Sequence, residues 1–334
     1  MKKIILYAII ASNLLFTTLQ AQNIIGTGPV RIVVSDMRRS LEFYTHTLPF
    51  KVKSEKEVYG DNYEKLENLF GLRMHIINLT LGNEEIELVD YLTPGGRSIP
   101  EDFKSNDLAF QHIAIVVSNM EKAFEELGKH PITYVSTDPQ TLPASIPEAA
   151  GVKAFYFQDP DKHVLELIYF PKDKGQAKWH RTNPPLFMGI DHTAFGVSNT
   201  NQSLSFYRDL LGIERKGDSH NKGVEQSHLN NVEDASLHIT GLRGKFGIGL
   251  EFLEYLYPGP GKTYPTNTRS DDIWNWETTL FTDNIDAFIS KIRENKNLVL
   301  VSKAIVTVQE KGALAYKAFI IRDPDGHALF IREQ

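Results

Sequence analysis

The feature that most constrains this chain is a short strand-like run that occurs four times. FQHIAIVVSN ends at Asn119, MGIDHTAFGVSN at Asn199, TGPVRIVVSD at Asp36 and IWNWETTLFTD at Asp283. Each copy leads into an amphipathic stretch of helical period and then into further short apolar runs. The chain is therefore four copies of one unit, and the expected class is α+β, with four βαβββ units.

The first unit opens with a strand at Val30 to Val34. A helix follows with Leu41, Phe43, Tyr44 and Leu48 on its apolar face, stopped by Pro49; then come a polar loop and two strands, Met74 to Leu81 and Glu85 to Tyr91, joined at Gly82-Asn83. The second has its helix at Met120 to Leu127 and a closing hairpin, Gly151 to Phe170, that turns at Asp159-Pro160-Asp161. Ser40-Leu41-x-Phe43-Tyr44 returns as Ser203-Leu204-x-Phe206-Tyr207, and Asp159-Pro160-Asp161-x-His163 as Asp323-Pro324-Asp325-x-His327, shifts of 163 and 164 residues. The halves are thus duplicates of each other. The expected organisation is a leader over 1–21, a first domain over 27–170 with units 27–93 and 110–170, a polar linker over 171–187, and a second domain over 188–333 with units 188–258 and 273–333.

SLSFYRDLLGI (Ser203 to Ile213) and DPDKHVLEL (Asp159 to Leu167), at this spacing and repeated, resemble the vicinal oxygen chelate superfamily, which holds glyoxalase I, extradiol dioxygenases and bleomycin-resistance proteins. The resemblance covers residues 27–333. It implies cup-shaped mixed sheets with flanking helices, each pair of units curling around a divalent metal.

The four copies serve as internal controls. Aligned on the polar residues that close the opening strand, one place is occupied by Pro29, His112, His192 and Trp276; aligned on the last strand, a second is occupied by Glu87, Glu166, Glu251 and Phe330. The separations agree in pairs: 58 and 59 residues for Pro29–Glu87 and His192–Glu251, and 54 for both His112–Glu166 and Trp276–Phe330. Each glutamate sits between apolar neighbours, where an unpaired carboxylate would be costly to bury, so each should meet a cation or donors. Period two could instead turn any one of them to water.

How units pair decides the site. Pairing within halves gives Glu87, His112 and Glu166 in the first and only His192 and Glu251 in the second. Pairing across the middle gives one complete set, His112, Glu166, His192 and Glu251, and leaves Pro29, Glu87, Trp276 and Phe330 in a blank one. The crossed arrangement is expected, because the resemblance implies sites assembled from non-consecutive or swapped units. Two imidazoles and two carboxylates suit one divalent ion, Zn, Ni, Mn or Fe(II), with positions left for a chelating substrate.

By the resemblance to glyoxalase I, Glu166 would act as base on carbon beside the chelated oxygens, with Glu251 a ligand or sharing the proton work. This makes the expected activity a metal-dependent lyase or isomerase. An Fe(II) extradiol dioxygenase would use His112, His192 and Glu166, with His238 as an acid-base group; the glutamate at 251 departs from that pattern. A metal-free binding protein of the bleomycin-resistance kind leaves the quartet unexplained. Glu87, His238 and Trp276 are further candidates for substrate contact. His163 and His327 follow their turns in both halves and read as turn packing.

A net charge of −6 with scattered Lys and Arg gives no footprint for nucleic acid, and the expected partner is a small molecule. Cysteine is absent, which excludes disulfides and thiolate ligands. Lys2 and Lys3 before an apolar run from Ile4 to Leu19 read as a secretory leader cut near Ala21, leaving an exported protein, periplasmic or secreted, with no stable membrane anchor. A single chain can complete its site, so monomer and homodimer are both compatible. The segments 61–69, 138–148 and 258–274 are expected to shape the cup mouth.

Overall fold

The computed structural model describes residues 24–309 and 314–334; the expected leader lies outside them. Four elements begin alike. Asp36, Asn119, Asn199 and Asn284 each cap a helix, the side chain accepting from the backbone N–H three residues on. The helices in units one and three, Met37–Glu42 and Thr200–Leu204, widen into π turns at Phe43–Thr47 and Ser205–Leu210. None of the described helices is long and apolar enough to cross a membrane.

The strands form two nine-stranded mixed sheets, and each is built from both halves of the chain. One joins units one and four through antiparallel pairing of Ile24–Val34 with Trp276–Thr282. The other joins units two and three through Gln111–Val117 and Phe187–Gly196. Within each unit the opening strand lies parallel to the last, as Arg31 beside Glu87 and Ala194 beside Glu251 illustrate. The crossed pairing is therefore present.

The apolar cores run the other way. One core joins units one and two, through Val30, Ile32, Tyr44, Leu88, Ile113, Phe155 and Leu165; a second joins units three and four, through Phe195, Tyr207, Phe252, Leu280, Phe319 and Leu329. Sheets link the halves and cores link the sheets. The repeated motifs are the bolts: Tyr44 donates to Asp159 across the first core at 3.2 Å, and Tyr207 to Asp323 across the second at 3.0 Å. His163 and His327 belong to these bolts, with Nδ1 2.9 and 3.0 Å from the Asp159 and Asp323 carboxylates.

Both ring nitrogens of His163 face acceptors, the second being the Ile273 carbonyl at 2.8 Å, so the ring is held as an imidazolium. Burial works against that charge, but Asp159, with smaller help from Asp161 and the Ile273 carbonyl, raises it above its ordinary 6.5. A raised folded value means the stabilisation is complete below about pH 6.5 and fades as pH rises through the folded value. His163→Gln is accordingly expected to cost about 2 kcal/mol at pH 6 and clearly less at pH 9, read from urea unfolding at the two pH values.

Two expectations about local structure change. The polar stretch after Pro49 is a strand, Lys51–Tyr59, on the sheet edge with most residues exposed. The segment 61–69 is largely helix, Asp61–Glu67, and carries the buried Glu67 inward.

Candidate metal centre

The cup of units two and three brings together side chains from four strands. His112 enters on Gln111–Val117, Glu166 on Val164–Tyr169, His192 on Phe187–Gly196 and Glu251 on Gly249–Tyr257. Glu166 Oε2 lies 3.2 Å from His112 Nε2 and 3.6 Å from His192 Nε2; Glu251 Oε1 lies 3.6 Å from His192 Nε2. One donor atom each from His112, Glu166 and His192 falls within a 4.8 Å circle, and all three residues are buried. Glu251 stands at the wall with 27% of its side chain exposed.

These groups fit a metal ion better than they fit one another. His112 Nδ1 and Nε2 and His192 Nε2 are buried without a hydrogen-bond partner, although the carboxylate is close. Unpaired buried nitrogens are costly, and a cation shared by the two Nε2 atoms would satisfy one on each ring.

His192 owes its aim to a fault in strand pairing. Ile190 pairs with Ile115 and Thr193 with Ile113, so Asp191 and His192 together oppose Ala114. This bulge re-aims both side chains. Asp191 Oδ2 sits 3.1 Å from His192 Nδ1 and accepts from Arg243 at 2.5 Å; its other oxygen accepts from the Trp179 indole at 2.7 Å and Gln176 at 2.9 Å. Burial pushes against ionisation of Asp191, but His192, Arg243 and Trp179 prevail and hold its carboxyl well below the usual range. An ionised Asp191 fixes the proton of His192 on Nδ1 and turns Nε2 to the cup. Burial disfavours charge on His192 too, yet Glu251, Asp191 and Glu166 lift it to about 9. A divalent ion binding here would displace a proton from His192.

Above the trio is a cavity of about 470 Å³ lined by Glu166, His192, Glu251, Tyr156, Asn221, Gln226 and apolar side chains including Leu142, Ile168 and Leu237. Of the expected mouth segments, 138–148 contributes Leu142 and Glu148 to this lining.

The remaining candidates lie elsewhere. Leu237, Ile239 and Gly241 line the cavity, whereas the alternate residue His238 is held by Asp218 at 3.0 Å and Glu254 at 3.5 Å. Glu87 is in the other sheet, 3.3 Å from Arg31 Nε. Trp276 is buried edge-on to His163, with ring centroids 5.2 Å apart. Its expected equivalence with His112 is off by one. Ala194 pairs with His112 and Arg31 with Glu277, so Glu277 occupies that place; the cap in unit four is Asn284, one residue after Asp283. Asp191, missed in the sequence, signals only by adjacency to His192, because without the bulge period two would turn it away.

Paired units curl into a cup around a His-Glu-His trio, a donor set able to hold a divalent ion. The chain belongs to the glyoxalase/bleomycin resistance protein/dioxygenase superfamily, whose family model matches residues 26–167 and 189–331. Over 140 residues it is 28% identical to the uncharacterized protein YwkD of Bacillus subtilis, covering 41% of this chain and 91% of that one. In fold it is similar to glyoxalase I of Zea mays, at 16% identity and a TM-score of 0.57 over 94% of this chain and 92% of the maize chain. A Bacillus subtilis structure described as a dioxygenase candidate aligns over 94% of this chain and 86% of its own, at 11% identity and a TM-score of 0.53.

Proposed function

We propose that the protein is a divalent-metal-dependent isomerase or lyase that moves a proton on a small molecule carrying two neighbouring oxygens. The observation that carries this is the fourth group, Glu251, beside the trio. A ring-cleaving dioxygenase needs only His112, His192 and Glu166, whereas a second carboxylate 3.6 Å from His192 and facing the cavity is a proton acceptor with access to bound substrate.

When bound, a divalent ion at the trio would act as a Lewis acid on the paired substrate oxygens and make hydrogen on the adjoining carbon more acidic. His112, His192 and Glu166 would hold it, and Asp191 would keep His192 in the binding tautomer. Glu251 would take the proton from one carbon and return it to the next while the hydroxyl proton passes to the former carbonyl oxygen, so that an isomerisation gains and loses nothing overall. This differs from the expectation that Glu166 is the base: both glutamates line the cavity, but Glu166 is buried between the histidines, whereas 27% of the Glu251 side chain is exposed.

Asn221 and Gln226 bring amide groups to the lining of the cavity, which favours a substrate that carries hydroxyl groups. An exported protein, as the 1–21 segment suggests, would rarely meet the cytosolic thiol adducts on which glyoxalase I acts, so a hydroxylated α-hydroxycarbonyl compound is the proposed class. Metal-loaded protein incubated with a panel of such compounds in deuterated water should incorporate deuterium at the carbon beside the carbonyl, followed by proton NMR. Oxygen consumption with catechols and no exchange would instead establish the dioxygenase.

A further inference from the structure

The cup of units one and four carries no histidine at the places equivalent to the trio, yet it is far from apolar. Register fixes the equivalences. Arg31 pairs with Glu277 and Glu87 as Ala194 pairs with His112 and Glu251, and Thr279 pairs with Phe330 as Ala114 pairs with Glu166. The four ligand places of the first cup are thus Pro29, Glu87, Glu277 and Phe330 in the second.

Arg31 reaches three of those four. Its guanidinium ion-pairs with Glu277, lies 3.3 Å from Glu87, and sits over the Phe330 ring with Cζ 4.7 Å from the centroid. A third carboxylate, Glu67 from the helix Asp61–Glu67, closes at 3.1 Å and is itself held by the Tyr91 hydroxyl at 3.1 Å. Arg31, Glu67 and Glu277 are all at least 95% buried. In the first cup the equivalent residue is Ala194, whose methyl side chain brings no charge. Burial and the neighbouring Glu67 raise the Glu277 carboxyl to about 8 against the pull of Arg31, so the set is crowded with more carboxylate than one arginine neutralises.

We infer that the second cup is a cation site whose cation is the chain's own Arg31, a permanent internal substitute for a divalent ion. Taking the guanidinium away leaves Glu67, Glu87 and Glu277 converging on a hole. An all-carboxylate set of this kind suits a hard ion such as Mn2+ better than the imidazole-favouring metals of the first cup.

The test uses a parent chain with both His112 and His192 replaced by alanine, so that the outcome does not depend on what the first cup binds. Arg31→Ala in that parent is expected to take up one Mn2+ per chain, measured by electron paramagnetic resonance titration, where the parent takes up none. Its melting temperature should fall by roughly 5–10 °C and recover as Mn2+ is added. Adding Glu277→Gln should abolish the uptake. Arg31→Met restores volume without charge and is expected to melt lower than the parent, with no recovery in Mn2+. An Arg31→Ala chain indifferent to Mn2+, or an Arg31→Met chain as stable as the parent, would overturn the inference; if Arg31→Ala does not fold even with Mn2+, Arg31→Met decides.

Discussion

Alanine at His192 is expected to take the purified protein from about one tightly bound divalent ion per chain to none, and alanine at His112 to do the same. The reason is geometric. The trio supplies one atom from each of three strands, two in unit two and one across the sheet junction in unit three, and loss of either imidazole leaves too few neutral nitrogen donors to hold a borderline ion against water. Elemental analysis of wild type and both variants, prepared in the same metal-supplemented medium, is the measurement. An ion that survives loss of His192 but not of His112 would be held by His112, Glu166 and Glu251 instead, and would refute the trio as the ligand set. Asp191→Asn should show the milder defect of a residue acting through His192, a metal affinity lower by roughly 10- to 100-fold.

The second large effect separates the two glutamates. Glu251→Gln is expected to keep the metal and lower the turnover rate by roughly 10²–10⁴-fold, the contribution of a well-placed general base. Glu166→Gln is expected to lose the metal, because Glu166 is the carboxylate that approaches both imidazoles, at 3.2 and 3.6 Å. Metal content and rate must be measured on the same preparations, since rate alone cannot distinguish a missing base from a missing ion. If Glu166→Gln retains metal while losing activity and Glu251→Gln loses metal, the roles are those the resemblance to glyoxalase I implied.

The sequence was most legible where one residue type answers to one physical demand. His112, His192, Glu166 and Glu251 stood out because histidine and glutamate coincide in units two and three, whereas unit one pairs Glu87 with Pro29 and unit four has Phe330, and histidine in a covered strand needs a reason. It was least legible where structure depends on pairing. Lys51–Tyr59 has the polar composition of a loop because it is a solvent-exposed edge strand, which needs only one neighbour. The Trp276 and Glu277 misplacement arose because Asp283 and Asn284 can both cap a helix, and only the hydrogen bond from Ala287 to Asn284 selects the second. Asp191 reaches His192 through a bulge that no alternation of residues foretells. Arg31 carried no signal at all, since its meaning lies in residues 36 and 246 positions away that the fold returns to it.

The crossed sheets have an evolutionary consequence. Were each half a separate polypeptide, two copies would build the same pair of cups about a twofold axis, and every substitution at a ligand place would strike both cups at once. With both halves on one polypeptide that symmetry constraint is lifted. Ala194 can stay small in one cup while its counterpart, 163 residues earlier, becomes Arg31 in the other. The duplicated gene is thus free to let one cup drift toward rigidity while its sister retains the donor set, and this chain records the two outcomes side by side.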